Sequence, residues 1–587
     1  MNLTADSSNT CPPLSPAARV VWAALILATL YLCYFYNLGA IGLVGPDEPR
    51  YAWIARDMAE SGDWVTPRLY SKPWFEKPPL YYWGAALSFK MFGVSEVAAR
   101  LPSAVCALLA TLAMAWLAWR VYGAETARWL LLLLPTTVGM IGFSHAAATD
   151  MPFAAMLTVA MVFAAKLLNL IPPLASAQTS PHSLFSFISL TSSTSFSSFL
   201  FGAFLGFAAL AKGPAAIILS GGAVLLWAAF VKRWHDAFRC LHPVAITGFC
   251  FTALPWYILC ARRNSDFFRV FIIEHNFKRF LTPEFQHIQP FWFYLPVLLI
   301  AFLPWTSLLL FAGFFRTLEF WRERKISPST VFFCCWLAFC ILFFSFSRSK
   351  LPGYILPALP PIGILLARSL TLLMPLLARY FRWLLALYGV VLLTMAIPLF
   401  LFLGHTLTSR ETPAAARALA LILAFFAVAN WVLLLYKTNF EPPFPLSAFC
   451  VLPILGVALI VPSLLPEVFP YDPSGKTLGA ELASKQISSD LFVGPMGRGQ
   501  YFSLNFYLHR ELPNWDSDNP KEGYLLLSSR TCRLRVKAPW ACGNNPLELP
   551  LSGWFVYSVA QNDLPGGLGG AASGGSAGSN RDNREPR

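Results

Sequence analysis

The sequence predicts an all-α polytopic membrane protein with about 13 transmembrane helices and a small α/β extracytoplasmic domain at its C-terminus. Of its 587 residues, 56% are hydrophobic and only 13% are charged, which is more apolar surface than a soluble globule buries. Apolar windows long enough to cross a bilayer recur up to residue 465. After residue 466 the composition turns mixed polar, with strand-like pieces such as "GYLLLSS" and "GWFVYSVA".

The apolar windows place the predicted spans along the chain. They lie at 18–40, 101–119, 128–144, 151–170, 196–212, 214–231, 244–261, 291–312, 331–346, 353–368, 383–403, 413–436 and 446–465. The sequence therefore predicts a membrane domain over 1–465, whose first external loop is 41–100, and a soluble domain over 466–565. The Gly- and Ser-rich tail 566–587 has too few apolar residues to build a core, so we expect it to be disordered.

The basic residues set the orientation of these spans. The net charge of +14 comes largely from Lys and Arg in alternate short connections, for example 232–239 and 316–325. Basic loops stay on the cytoplasmic side, so this pattern indicates an inner-membrane protein and gives no support to nucleic-acid binding. The loop 41–100 and the C-terminal domain are then extracytoplasmic.

The other ionisable residues gather in the outer connections and not in mid-span. Pumps and symporters need charges near the bilayer midplane, so this placement disfavours an ion-coupled transporter. The charged and aromatic clusters read "GPDEPRYAWIARDMAESGDWVTPRLYSKPWFEKPPLYYW", "SHAAATDMPF", "IEHNFKRFLTPEFQHIQPFWFYLP" and "SRSKLPGYILP". Any chemistry is predicted at the outer membrane face.

Each cluster taken alone has an ordinary structural interpretation. Asp47 is compatible with a cap on a helix that ends near Gly62, and His275 with a hydrogen-bonding group at the membrane interface. The remaining charges are compatible with surface pairs or with side chains that snorkel: Glu76, Lys77, Arg279 and Lys350. Together they offer more, because a reaction at a lipid phosphate needs a carboxylate to accept a proton and cations to hold the phosphate.

The same segments resemble a known family. "PDEPRYAWIARDMAESGDWVTPRLYSKPWFEKPPLYYW" is similar to the first external loop of the aminoarabinose transferase and protein O-mannosyltransferase group of membrane glycosyltransferases, the GT-C superfamily. "ATDMPF", "EHNFKRF" and "SRSKLPGYILP" resemble later motifs of that group in the same order. The resemblance extends over residues 1–370. It implies a GT-C fold, a lipid-phosphate-linked sugar donor and inversion at the sugar carbon.

The resemblance also implies roles for individual residues. Asp47 would be the catalytic base or the carboxylate that orients the acceptor, with Glu48 beside it. Asp150, at a second acidic position, would share that role or orient the acceptor. The other implied groups are the donor phosphate ligands Lys77, Arg279, Lys350 and Tyr354, and the pair Glu76 and His275, which would bind a divalent metal ion (zinc, magnesium or manganese).

We therefore predict an integral membrane glycosyltransferase that moves a sugar from a polyprenyl-phosphate carrier to lipid A, another cell-envelope glycan or a protein hydroxyl. A protein O-mannosyltransferase is the alternative enzyme. A lipid-carrier flippase or transporter is the alternative class, and a scaffold whose loops only dock partners is a third. Release of free polyprenyl phosphate from a labelled donor distinguishes a transferase from the last two.

The polar C-terminal part contains Cys532 and Cys542, which we expect to form a disulfide. The compartment is oxidising, and closing a loop of about ten residues would stabilise a small domain by roughly 2–3 kcal/mol. Two free thiols are the alternative.

The orientation gives a direct test by cysteine labelling from outside in a cysteine-free background. A probe at Ser552 should react and a probe at Ser327 should not, because basic loops are retained in the cytoplasm. The opposite labelling pattern would contradict both the topology and the location of the site.

Overall fold

The computed structural model describes residues 15–172, 194–278, 288–323, 326–373 and 474–559, with short internal gaps of which 529–546 is the longest, and scattered positions between 281 and 456. The chain divides into two units. The first comprises 1–476 and 498–506, and the second comprises 477–497 and 507–587.

The first unit is built mainly of helices. They are Pro16–Tyr34, Asp47–Ser61, Leu80–Phe92, Glu96–Tyr122, Ala124–Leu133, Val138–Ser144, Asp150–Leu167, Thr194–Lys212, Ala215–Val231, Trp234–Phe238, Pro243–Arg263, Tyr294–Ala301, Thr306–Glu323 and Pro328–Phe346. Short 3-10 helices lie at Arg239–Leu241, Phe291–Phe293 and Pro352–Ala358, and a π-helix at Arg269–Lys278. The Pro352–Ala358 turn continues into an α-helix, and together they form a helical span over Pro352–Leu373. Two strands of two residues each, β1 (Arg68–Leu69) and β2 (Lys72–Pro73), pair antiparallel in the first external loop.

Within the described ranges, seven helices are long and apolar enough to cross a membrane, or up to nine if each of two bent pairs is one span. One pair is Ala124–Leu133 with Val138–Ser144, bent by 63°, and the other is Phe291–Ala301 with Thr306–Phe314, bent by 112°. These seven to nine candidate spans confirm the prediction of a multi-pass helical membrane protein. The spans predicted at 383–403, 413–436 and 446–465 lie outside the described residues, apart from scattered positions.

Close helix contacts hold the membrane part together. The Thr194–Lys212 and Pro243–Arg263 helices approach so closely that a Cβ at Gly202 would lie 1.8 Å from the carbonyl oxygen of Ala245. At Gly248, a Cβ would lie 2.3 Å from the carbonyl oxygen of Phe199. Lipid tails are as apolar as the helices, so the hydrophobic effect does not drive helices together within the membrane. Small residues that let the two backbones approach stabilise such a helix pair instead.

The Asp47–Ser61 helix has the apolar face that the sequence predicts, with Tyr51, Ile54 and Met58 buried. It ends at Gly62, whose φ of 73° closes the last turn in the left-handed region. Asp47, however, is the first helical residue and not its cap. Pro46 holds the cap position, and no side chain caps the helix.

The second unit contains a four-stranded sheet in the order β3–β4–β6–β5, with β3 at Leu491–Val493, β4 at Gly523–Ser528, β5 at Leu547–Leu549 and β6 at Trp554–Val559. Strand β3 is parallel to β4, and the other two pairings are antiparallel. Its helices lie at Lys476–Ser484 and Trp515–Asp518, and of the Arg498–Leu508 helix only residues 507 and 508 belong to this unit. The expected strands at "GYLLLSS" and "GWFVYSVA" are present. Cys532, Cys542 and the tail 566–587 lie outside the described residues.

The structure shows that Ser552 is a poor position for the cysteine-labelling test of orientation. Ser552 is buried, and both its backbone N–H and its hydroxyl donate to Glu481 Oε2. Glu548 on β5 is exposed, as is Ser327. A cysteine at Glu548 is therefore the better outer probe.

Candidate active site

A buried ion pair fixes the first external loop. Arg100, near the start of the Glu96–Tyr122 helix, is 3% exposed. Its Nε donates to Glu48 Oε1 at 3.1 Å and its Nη2 to Glu48 Oε2 at 2.8 Å. The same guanidinium donates to three carbonyl oxygens at 2.8 Å each, those of Leu38, Ile41 and Gly42. The Arg100 side chain thus holds the turn between the first span and the Asp47–Ser61 helix. We call Arg100, Glu48 and the three carbonyls the Arg100 clamp.

Glu48 extends this clamp to a second segment. Its carboxylate also accepts the backbone N–H of Val44 at 2.9 Å and of Ala147 at 2.8 Å. Ala147 precedes Asp150 by three positions, so one carboxylate connects the loops that carry Asp47 and Asp150. Both oxygens of Glu48 already accept hydrogen bonds, which favours a structural role over proton transfer.

Asp47 points into a different cluster. Its Oδ1 accepts from Arg50 Nη2 at 2.5 Å, and the same nitrogen lies 3.1 Å from Glu76 Oε2. The Asp47 side chain is 50% exposed, whereas the side chain of Arg50 is 5% exposed and that of Glu76 11% exposed. Asp47 is therefore a carboxylate held in place yet open to an incoming molecule. The N-terminal end of its helix also stabilises its negative charge.

Aromatic rings enclose the guanidinium of Arg50. Its Cζ lies 5.2 Å from the ring centre of Trp74 and 5.3 Å from that of Tyr51. Burial, together with the nearby negative charge of Glu76, raises the pKa of the Tyr51 and Tyr82 hydroxyls well above its usual value. Both phenols therefore stay protonated around neutral pH and are unsuited to act as bases.

Asp150 forms a second pair, with Lys212. Lys212 Nζ lies 2.5 Å from Asp150 Oδ1 and 4.4 Å from the ring centre of Tyr354. The structure thus brings together Asp150 and Tyr354, which the sequence predicts for different roles, around a cation outside the predicted set. A lone Lys at the end of an apolar helix, in "ALAKGP", is the sequence signal that could have identified Lys212.

The predicted metal pair lies on two segments that pack together. Phe75, next to Glu76, meets Phe267 with ring centres 5.3 Å apart, and Phe267 stacks on Phe271 of the π-helix that carries His275. Residues 63–66 also bind the end of the neighbouring helix, with Trp256 Nε1 donating to the Val65 carbonyl at 2.9 Å. The fold therefore joins segments about 200 positions apart in the chain, since Asn264 Nδ2 donates to Thr66 Oγ1 with a separation of 198.

The remaining predicted ligands are placed as follows. Lys77 is half-buried on the same loop as Glu76. Lys350 is buried, and its Nζ donates to the carbonyl oxygens of Ser347 at 2.6 Å and Gln289 at 3.0 Å. Burial, aided by the charge of Arg348, lowers the pKa of Lys350. Arg279 lies outside the described residues. Within the described ranges, no group of three or more His, Cys, Asp and Glu residues is placed to hold a metal ion.

Comparison with known proteins identifies the class. The family "Dolichyl-phosphate-mannose-protein mannosyltransferase" matches residues 20–271. The crystal structure of ArnT from Cupriavidus metallidurans bound to undecaprenyl phosphate has the same fold, with a TM-score of 0.70 and 23% identity over 93% of this chain and 100% of that one. An archaeal oligosaccharyltransferase, AglB from Archaeoglobus fulgidus, is similar with a TM-score of 0.50 and 13% identity, over 94% of this chain and 75% of that one. These matches show the fold of the GT-C class of membrane glycosyltransferases.

Sequence relatives narrow this class to a family. Undecaprenyl phosphate-alpha-4-amino-4-deoxy-L-arabinose arabinosyl transferase of Aeromonas salmonicida is 30% identical over 462 residues, which cover 76% of this chain and 79% of the relative. The enzyme of the same name from Enterobacter sp. is 29% identical over 477 residues, which cover 80% of this chain and 81% of the relative. The chain belongs to the membrane glycosyltransferase family that includes these enzymes, which confirms the resemblance drawn from the motifs.

The clamp around Arg100 gives a stability prediction. In Arg100→Lys the charge remains, but an ammonium group cannot reach Glu48 and three carbonyl oxygens together. Buried acceptors left without donors should lower the free energy of unfolding by on the order of 2–4 kcal/mol. Thermal unfolding in detergent measures this as a lower midpoint. The control is Arg120→Lys, because Arg120 makes one exposed hydrogen bond, to the carbonyl of Pro172. Equal midpoints for the two variants would contradict the clamp.

Proposed function

We propose that the protein transfers a sugar from a polyprenyl-phosphate carrier to a cell-envelope acceptor, with inversion, at the extracytoplasmic face of the inner membrane. The observation that carries the proposal is the half-exposed Asp47 carboxylate, oriented by the buried Arg50 at a distance of 2.5 Å. The similar arabinosyl transferases are named for undecaprenyl phosphate and an amino sugar, which supports a donor of that chemical class.

The proposed reaction is a single displacement. An acceptor hydroxyl attacks the anomeric carbon while the bond from that carbon to the phosphate oxygen breaks. The electron pair of the breaking bond stays on the lipid phosphate, and the hydroxyl proton passes to Asp47. One displacement from the face opposite the leaving group inverts the sugar carbon. General-base assistance of this kind contributes about 10²–10⁴-fold to a rate.

The departing phosphate needs positive charge where its own negative charge develops. We propose Lys77 and Arg279 for this contact, with Lys350 and Tyr354 in support. In the structure, the Lys350 ammonium group donates to backbone carbonyls. We therefore propose that Lys350 supports the phosphate contact by holding the start of the "SKLPGY" segment. Lys212, paired with Asp150 beside Tyr354, is a further cation that we add to the proposed donor site.

The proposed architecture has about 13 spans. A membrane domain covers 1–465, an extracytoplasmic domain of the α/β type covers 466–565, and the tail 566–587 is disordered. We propose that a disulfide between Cys532 and Cys542 braces the C-terminal domain. The acceptor is lipid A, another envelope glycan or a protein hydroxyl. The similarity of residues 20–271 to protein mannosyltransferases supports a protein hydroxyl as the second candidate.

Asp47→Asn tests the base. The change keeps size and hydrogen bonding to Arg50 but removes proton acceptance, so transfer should fall by about 10²-fold or more with donor binding retained. Transfer is measured as polyprenyl phosphate released from a labelled donor, and mass spectrometry of lipid, glycan and protein fractions identifies the acceptor.

Asp266→Asn is the matched control, because Asp266 also pairs with an arginine three residues later, Arg269, at 3.2 Å on an exposed surface. It should transfer at the wild-type rate. Wild-type turnover in Asp47→Asn would instead assign the base to Asp150, which the same substitution tests. A wild-type protein that releases no polyprenyl phosphate would contradict the proposed function as a whole.

We also propose a divalent metal ion at Glu76 and His275, which would supply charge against the lipid phosphate. Two protein ligands would leave the other positions to phosphate oxygens and water. The carboxylate suits magnesium or manganese and the imidazole suits zinc, so all three ions are candidates. The Glu76 carboxylate already contacts Arg50 through Oε2, so metal binding there would engage its other oxygen or release that contact.

His275→Gln should lower the metal content of the purified protein in the presence of polyprenyl phosphate, because it removes one of the two proposed ligands. Elemental analysis by mass spectrometry measures this. His235→Gln, at an exposed histidine on the side predicted to be cytoplasmic, is the control and should keep wild-type content. Equal metal content in the two variants, or full activity after exhaustive chelation, would argue against the metal.

A further inference from the structure

A short helical segment from the far end of the chain lies against the first external loop. It is 498–506, the start of the Arg498–Leu508 helix, and it belongs to the same structural unit as Asp47. The segment lies well outside the family match at 20–271 and beyond the motifs that the sequence analysis used. Its function is therefore open.

The segment holds the backbone that leads into Asp47. Ser503 is buried, and its Oγ donates to the carbonyl of Leu43 at 2.8 Å, across a separation of 460 positions, in a bond shared with the carbonyl of Ser474. One turn earlier, a Cβ at Gly499 would lie 3.0 Å from the carbonyl carbon of Gly45. Gly45 has a φ of 70°, which glycine adopts without strain. Both segments therefore carry a glycine where their backbones meet.

Phe502 completes the aromatic enclosure of Arg50. Its ring centre lies 5.7 Å from Arg50 Cζ, and its side chain is almost fully buried. The ring also stacks on Tyr70, with centres 6.4 Å apart and planes at 26°. Asn505 Nδ2 donates to the Tyr70 hydroxyl at 3.0 Å. This hydrogen bond holds the Tyr70 ring in place against Phe502.

The consequence for Arg50 is geometric. A guanidinium group makes strong hydrogen bonds only in its own plane, and aromatic faces stabilise it above and below that plane. Rings that confine Arg50 therefore fix the direction in which Nη2 meets Asp47 and Glu76. Without the Phe502 ring, Arg50 gains rotational freedom and a route to water, and Asp47 loses its fixed partner.

We propose that Phe502 is a positioning residue for the transfer reaction, which acts through Arg50 on the Asp47 carboxylate. The inference rests on the proposed function, in which Asp47 is the base. Phe502 itself touches no reacting atom. Its role is to keep the carboxylate in the geometry that proton transfer requires.

The test is a kinetic series at position 502 of the full-length protein, with a polyprenyl-phosphate-linked sugar as the probe. Phe502→Leu removes the aromatic face but keeps an apolar side chain. It should lower kcat about tenfold and leave KM for the donor within about twofold, because small misplacements of a catalytic group cost rate and not ground-state binding. Phe502→Tyr keeps the face and should restore kcat.

A double-mutant cycle separates action through Arg50 from general damage. If Phe502 acts through Arg50, then Phe502→Leu should cost little further kcat in an Arg50→Lys background, since coupled residues are not additive. The matched control is Phe492→Leu, which removes the same atoms from a ring that packs on Trp515 in the second unit, with centres 5.5 Å apart. It should leave kcat unchanged.

Three results would overturn the inference: wild-type kcat in Phe502→Leu, failure of Phe502→Tyr to restore kcat, or fully additive losses in the cycle. Each leaves the proposed function intact, because wild-type transfer continues in the same assay. Absence of transfer by the wild-type protein overturns both, so the two failures are distinguishable.

Discussion

The buried pair between Arg100 and Glu48 is the constraint on which the first external loop depends. Two charges withdrawn from water are tolerated only when nearly every donor and acceptor is satisfied, and here the guanidinium meets both carboxylate oxygens and three carbonyls. Breaking any one contact would leave a polar group buried without a partner. The turn at 38–44 is therefore held in one conformation, and with it the start of the Asp47 helix.

The charges of the candidate site are arranged in pairs on top of this constraint. Arg50 serves Asp47 and Glu76, and Lys212 serves Asp150 beside Tyr354. Each of these pairs offsets part of the cost of withdrawing its charges from water. Among the described carboxylates Asp47, Glu48, Glu76 and Asp150, Asp47 has the most exposed side chain, at 50%, and a fixed partner, which is what a base that meets an incoming hydroxyl requires.

Segments distant in sequence contribute to the surroundings of one residue. Arg50 is enclosed by rings from its own helix, from the hairpin region at Trp74 and from Phe502 near the C-terminal end. The π-helix with His275 packs on Phe75 through Phe267 and Phe271. A site assembled in this way has a geometry set by packing, so changes far from the chemistry are expected to alter the rate.

The sequence by itself determined the class of the protein, most of its spans within the described ranges and the segments that form the candidate site. Apolar length is a local property, and so is the order of motifs such as "PDEP" and "ATDMPF". The tertiary structure decided which charges meet. Asp47 is a partner of Arg50 and not a cap, Glu48 is a clamp on Arg100, and Lys212 reaches Asp150. No pattern along the chain encodes these contacts, because a pair such as Ser503 and Leu43, 460 positions apart, is created only when the chain packs and buried polar groups must find partners.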